Sequence, residues 1–285
     1  NHFSLLKWKT LNNTVVFLYF MLDELFFKAG FEKKRMNFVF FGFVITFIGF
    51  ITSLFLFKGD SLATLLIITM LLMPVLMRLF LKEERIGRSR KKLKNIFKNH
   101  RSVFETYFFL FLGIFFAFLI LQLTTIYNQD FFANAFEFQS NWVINNQESF
   151  GIVQGDISGV IISSFIVDFL ILLISFLFSF FYGSGGIFLI VAASSILSTL
   201  LIYLLRFFDT FFGFSLFLLV IFLLYVIPEI FVFIMASTAG GILSKAVISE
   251  KITGKHFKNV LKDAVRLFVY AVGLLLVINA LKFVL

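Results

Sequence analysis

The stretch Phe38–Leu81, FVFFGFVITFIGFITSLFLF-KGD-SLATLLIITMLLMPVLMRLFL, decides the fold class. Two long apolar runs are separated by Lys58-Gly59-Asp60 alone. About 20 helical residues, rising 1.5 Å each, cross about 30 Å of hydrocarbon. A surface helix of a water-soluble domain would carry a polar face, and neither run has one. The pair reads as two membrane-crossing helices joined by a short turn.

Working outward, five more runs of this kind follow: Val103–Ile126, Gly159–Phe181, Gly186–Leu205, Gly213–Ala236 and Ala264–Leu285. The expected fold is therefore an all-α, polytopic transmembrane bundle of about seven spans, forming one domain over 38–285 behind an N-terminal segment, 1–37. The composition agrees. Of 285 residues 60% are hydrophobic, only 14% are charged, and 47 are Phe. An ordinary soluble domain has about 25% charged residues, so this chain lacks the surface that a soluble enzyme or nucleic-acid-binding module needs. With no Cys there is no disulfide framework, iron–sulfur cluster or thiol nucleophile. His2, His100 and His256 lie far apart, with no metal-binding spacing. No catalytic or cofactor motif is present, and the chain reads as a non-enzyme.

Charge placement tests the count. Six basic residues precede the first span: Lys7, Lys9, Lys28, Lys33, Lys34 and Arg35. The loop 82–102 holds nine, from Lys82 to Arg101. Lys245, Lys251, Lys255, Lys258, Lys262 and Arg266 lie between or beside the sixth and seventh spans. The other connections hold only Lys58, Arg206 and Lys282, and the outer loop 127–158 has no Lys or Arg. Cytoplasmic loops concentrate Lys and Arg, so the pattern predicts a multi-pass cell-membrane protein with a cytoplasmic N-terminus and an outside C-terminus. A six-span variant, with the helices around Tyr182-Gly183-Ser184-Gly185 forming a re-entrant pair, fits the charges less well. The net charge of +9 is thus topological. The loop 82–102 is expected to meet anionic lipid headgroups, and no nucleic-acid partner is implied.

Two flanking segments read as interfacial. Val15–Phe27 is broken by Asp23 and Glu24 and is too short to span, so it reads as an amphipathic helix on the membrane surface. Met21 is a candidate start residue. In the outer loop, Phe131, Phe132, Ala135, Phe136, Trp142 and Val143 recur near helical spacing. They predict a short helix on the outer face, serving as a cap or as a docking surface for an extracytoplasmic partner.

Ionisable groups inside spans cost about 2.5–3.5 kcal/mol each at a helix centre on insertion scales. Asp168 lies mid-way along the fourth span, and Glu229 follows Pro228 late in the sixth. Both are expected to face the bundle interior, as a proton or cation site or as hydrogen-bonded groups holding helices together. Arg78, near the end of the second span, snorkels to the basic side or pairs with Glu229. Pro228 removes a backbone donor and predicts a kink. Ala236-Ser237-Thr238-Ala239-Gly240-Gly241 permits close helix approach or a local break. Gly183, Gly185 and Gly186 form a comparable small-residue turn, and Ala192-Ala193-Ser194-Ser195 another small face. These predict a tight bundle of the fourth, fifth and sixth spans.

The segment YVIPEIFVFIMASTAGGILSKAV (225–247), with a basic loop and a last span after it, resembles the stage II sporulation protein M family. Pro228-Glu229 and Ala239-Gly240-Gly241 match its Pro, Glu and Ala-Gly-rich pattern. FSFFYGSGGIFLIVAAS (178–194) is similar to its Gly-centred turn, and MLDELFFKAGFEKKRMNFVFFGF (21–43) to the N-terminal entry of archaeal-type members. Tyr225-Val226 stands where the family has His-Gly, and Ala192 and Asp168 where it has Asn. The resemblance implies a polytopic scaffold, since the family's namesake anchors cell-wall hydrolases without a hydrolase site of its own. The expectation is a non-catalytic scaffold or assembly subunit with a protein partner and no cofactor. The alternative is a transporter or permease component with a polar site at Asp168 and Glu229.

Overall fold

In hydrocarbon no water satisfies a backbone N–H or C=O, so an isolated apolar segment closes its hydrogen bonds within a helix. The computed structural model describes residues 36–74, 101–127, 133–145, 157–182, 186–206, 212–249 and 254–284, and no strand occurs among them. The helices are α1 (Met36–Phe57), α2 (Ser61–Pro74), α3 (Arg101–Tyr127) and α4 (Glu137–Asn145). A 3-10 turn, Ala133–Phe136, leads into α4. Then come α5 (Ile157–Tyr182), α6 (Gly186–Arg206), α7 (Phe212–Ser249) and α8 (Lys255–Val284).

Among the described residues, five stretches are long and apolar enough to cross a membrane: Met36–Phe57, Val103–Thr124, Gly186–Tyr203, Val226–Ser244 and Phe257–Leu281. The other two expected spans are represented by the shorter apolar stretches Ser61–Pro74 and Phe165–Phe181. The N-terminal segment up to residue 35, Arg78, nearly all of the basic loop 82–102, Gly183 and Gly185 lie outside the described residues.

The α1–α2 turn is tight because Lys58 and Gly59 adopt φ of 54° and 77°, a left-handed conformation that ends helices. Asp60 then caps α2, its Oδ1 accepting from the Ala63 N–H at 2.7 Å. The Thr64 hydroxyl reaches Ser53 Oγ at 2.7 Å and closes the hairpin. Gly49 faces Ile68 one helical turn further from the turn, so the two helices run antiparallel.

Contacts also set the relative directions of the other helices. Phe50 of α1 and Phe118 of α3 both flank Phe136, while Gly42 packs on Leu110 and Ile114. Thus α1 and α3 run parallel. The Ser175 and Ser179 hydroxyls donate to the Phe233 and Ser237 carbonyls, a constant offset that makes α5 and α7 parallel. Phe176 meets Phe268 and Asp168 meets Asn279, so α8 runs against α5. Helix α7 is the hub, touching α5, α8, α6 and α3. Helix α6 leans chiefly on α3 rather than on its hairpin neighbour α5. The largest buried side chains, among them Tyr107, Phe41, Phe118, Ile45 and Leu172, line these contacts.

The Ala236–Gly241 run, expected to allow either close approach or a break, lies inside a helix of 38 residues that continues through Pro228. A Cβ at Gly240 would press on the Phe176 carbonyl, Ser179 Cβ and Phe180 N of α5. The small residues therefore bring two backbones together and leave the helix unbroken. At about 57 Å, α7 exceeds the hydrocarbon thickness. Much of the segment expected to be a basic loop after Ala236 is helical: α7 runs on to Ser249 and α8 begins at Lys255. The apolar contacts of Leu243, Ala246, Phe257 and Ala264 pack this extension.

Candidate functional site

Polar side chains inside the apolar bundle are the chemically distinctive groups, and the fold gathers them in three places. The first joins α5, α7 and α8. Asp168, half-buried on α5, accepts a long hydrogen bond from Asn279 Nδ2 of α8 at 3.4 Å. The same amide donates to the Leu275 carbonyl at 3.1 Å. Asn279 Oδ1 is buried and has no hydrogen-bond partner among the described residues. Glu229 is half-buried on α7, one helical turn before Phe233 and two before Ser237. Those are the residues whose carbonyls receive the α5 serines. Both sequence-expected carboxyls thus belong to the α5–α7–α8 group, and Asp168 has an amide partner 111 residues away. Pro228 sits within α7 at this level. Gly241 is buried on α7.

The second place lies where α5, α6 and α7 converge. Ser179 Oγ donates to the Ser237 carbonyl at 2.6 Å and is itself fully buried. Gly186, the first residue of α6, abuts the Ser237 side chain so closely that any Cβ would collide with it. Gly186 and Gly240 therefore mark two close approaches of α7, one to α6 and one to α5. The buried Tyr107 of α3 directs its hydroxyl toward Ser237.

The third place is built by α3, α4 and α6. Gln122 Nε2 donates to Thr199 Oγ1 at 2.6 Å, with a longer contact to the Ser195 carbonyl. Gln139 of α4 is fully buried and donates to Ser195 Oγ at 2.8 Å, while its Oε1 has no partner among the described residues. The Phe138 N–H donates to Ser61 Oγ, and Val143 packs on Leu200. Helix α4, expected as a cap resting on the outer face, is thus seated between the α1–α2 turn and α6.

Sequence reasoning missed Asn279, Gln122 and the role of Gln139. A signal existed, because Asn279 and Gln122 are amides within otherwise apolar spans, where a buried amide needs a partner on another helix. Among the described residues no group of three or more His, Cys, Asp or Glu is placed to hold a metal ion. Chemically, the arrangement supplies hydroxyl and amide donors aimed at neighbouring helices, and carboxyl and amide oxygens suited to holding a proton.

Comparisons of the chain with protein-family models, curated proteins and solved structures find no match.

Proposed function

We propose that this protein is a seven-pass membrane protein acting as a non-catalytic scaffold or assembly subunit, with its N-terminus in the cytoplasm. One observation carries the reading: several polar side chains inside the bundle bond across to neighbouring helices. Asp168 is held by Asn279, Ser175 and Ser179 by α7 carbonyls, and Gln122 and Gln139 by α6. Such bonds contribute on the order of 0.6 kcal/mol each in membranes, and together they favour one rigid arrangement. The parallel pairs α1/α3 and α5/α7 and the antiparallel α8 support alternating passes. On this reading α3 begins and α7 ends on one side, the side that the positive-inside pattern assigns to the basic connections 82–102 and 245–266. The resemblance to the stage II sporulation protein M family supports the scaffold role. The proposed partner is a protein engaged at the membrane.

Crosslinking in intact membranes, followed by purification in mild detergent, tests this. A stoichiometric partner at each preparation supports scaffolding. Recovery of the lone chain from both sinks it.

A second reading, transport of a proton or cation, is favoured by one feature: the buried oxygen of Asn279 beside Asp168 and on the same helical group as Glu229. Sites in transporters cluster near mid-membrane at interrupted helices. Liposome flux abolished in both Asp168→Asn and Glu229→Gln, with folding intact, would replace scaffolding with transport.

A further inference from the structure

We infer that the exposed face of α8 is a binding site for an anionic phospholipid of the leaflet on the basic side. The inference rests on the membrane reading and names a ligand for one surface of it. Residues 258, 262, 266, 269, 273, 276 and 280 recur every three or four positions and share one helical stripe. Every one of them is exposed. Its first part is cationic: Lys258, Lys262 and Arg266, spread along about 12 Å of helix. Its second part is apolar: Val269 at 60% exposure, Gly273, Leu276 at 52% and Ala280, along about 17 Å. One leaflet of hydrocarbon is about 15 Å deep. The stripe thus matches a ligand that is anionic at one end and apolar at the other.

Gly273 shapes the apolar part. No atom lies within 4 Å of where its Cβ would be, so the helix surface is notched there, between Val269 and Leu276. Unlike Gly240, it serves no helix contact, and the notch leaves room for an acyl chain against the backbone. Tyr270, half exposed beside the stripe, lies one turn beyond Arg266, where an aromatic side chain suits the interface. Among the described residues, Asp263 is the acidic group beside the cations. It is buried and turned off the stripe, 3.7 Å from Arg266 Nη1, and offsets part of that charge. Lys258 and Lys262 therefore carry most of the attraction. An acidic protein would satisfy the cations and leave the apolar continuation unused. A phospholipid satisfies both.

The full chain in detergent is titrated with phosphatidylglycerol and with phosphatidylcholine, and bound lipid is counted by native mass spectrometry. The wild type should prefer phosphatidylglycerol. Lys258→Gln with Lys262→Gln should reduce that preference about 25-fold, from about 1 kcal/mol per basic residue. Lys258→Arg with Lys262→Arg should retain it, and Gly273→Leu should weaken both lipids by filling the notch. Unchanged preference in the double Gln variant overturns the site. Equal competition by water-soluble glycerol phosphate also overturns it, since the apolar half would then contribute nothing. Capture of an acidic peptide in place of lipid does the same. Thermal unfolding of each variant checks that the fold persists. Release of the wild type from membranes by alkaline carbonate would instead sink the membrane reading, a separate outcome.

Discussion

Substitution of Gly240 by Ala tests the α5–α7 contact most directly. An added Cβ would sit 2.9 Å from Ser179 Cβ and 3.0 Å from Phe180 N, with the Phe176 carbonyl nearer still. Ordinary van der Waals contact begins at 3.4 Å, so α7 must retreat by about half an ångström or more against a close-packed interior. Overpacking of this kind costs about 1–3 kcal/mol. Retreat also stretches the bond from Ser179 to the Ser237 carbonyl, now 2.6 Å, worth about 0.6 kcal/mol. Against this, Ala gains up to about 1 kcal/mol over Gly as a helix former. The net expectation is a loss of about 1–2 kcal/mol, or about 2–8 °C in Tm. Gly273→Ala is the internal control, because its Cβ meets nothing within 4 Å and only the propensity gain remains. Thermal unfolding of both variants in one detergent gives the comparison. Ser179→Ala should cost about 0.6 kcal/mol alone and close to nothing in the Gly240→Ala background, where its bond is already weakened. A Gly240→Ala protein melting at or above Gly273→Ala would refute the close-approach argument.

Further outcomes follow from other contacts. Asp60→Ala removes the cap of α2 and should cost about 1 kcal/mol in thermal unfolding, whereas Asp60→Asn should be nearly neutral; equal losses would show that the carboxylate charge matters instead. The chain has no cysteine, so Val143→Cys is a unique probe of α4. Its maleimide labelling should accelerate about five-fold when Gln139→Ala removes the bond to Ser195, and an unchanged rate would show that this bond does not seat the helix. In sealed vesicles, single cysteines at Asp60 and Lys258 should label from opposite faces, and labelling from the same face would contradict the alternating passes.

Much of this architecture is legible locally. Apolar runs without a polar face specify helices wherever they occur, because hydrocarbon leaves the backbone no other partner. The turn at Lys58-Gly59-Asp60 is similarly local, its left-handed residues and aspartate cap acting within seven positions. Clustering of Lys and Arg in alternate connections is readable for the same reason, since each loop carries its own charge.

The pairing of helix faces is a different matter. In lipid the hydrophobic effect does not choose between apolar faces, so small residues and a few polar groups decide which helices meet. Asp168 is recognisable in isolation as an unusual residue, but its contact with Asn279 spans 111 positions. Gln139 reads as one polar residue among aromatics, yet the fold buries it against Ser195. The Ala236–Gly241 run was open to two readings, and the α5 backbone packed against Gly240 resolves them in favour of an unbroken helix. Sequence alone thus determined that the chain is helical and belongs in a membrane, because those properties are summed residue by residue. Only the tertiary structure decided which polar groups meet and which glycine is a contact and which a notch, because those depend on atoms brought together from distant parts of the chain.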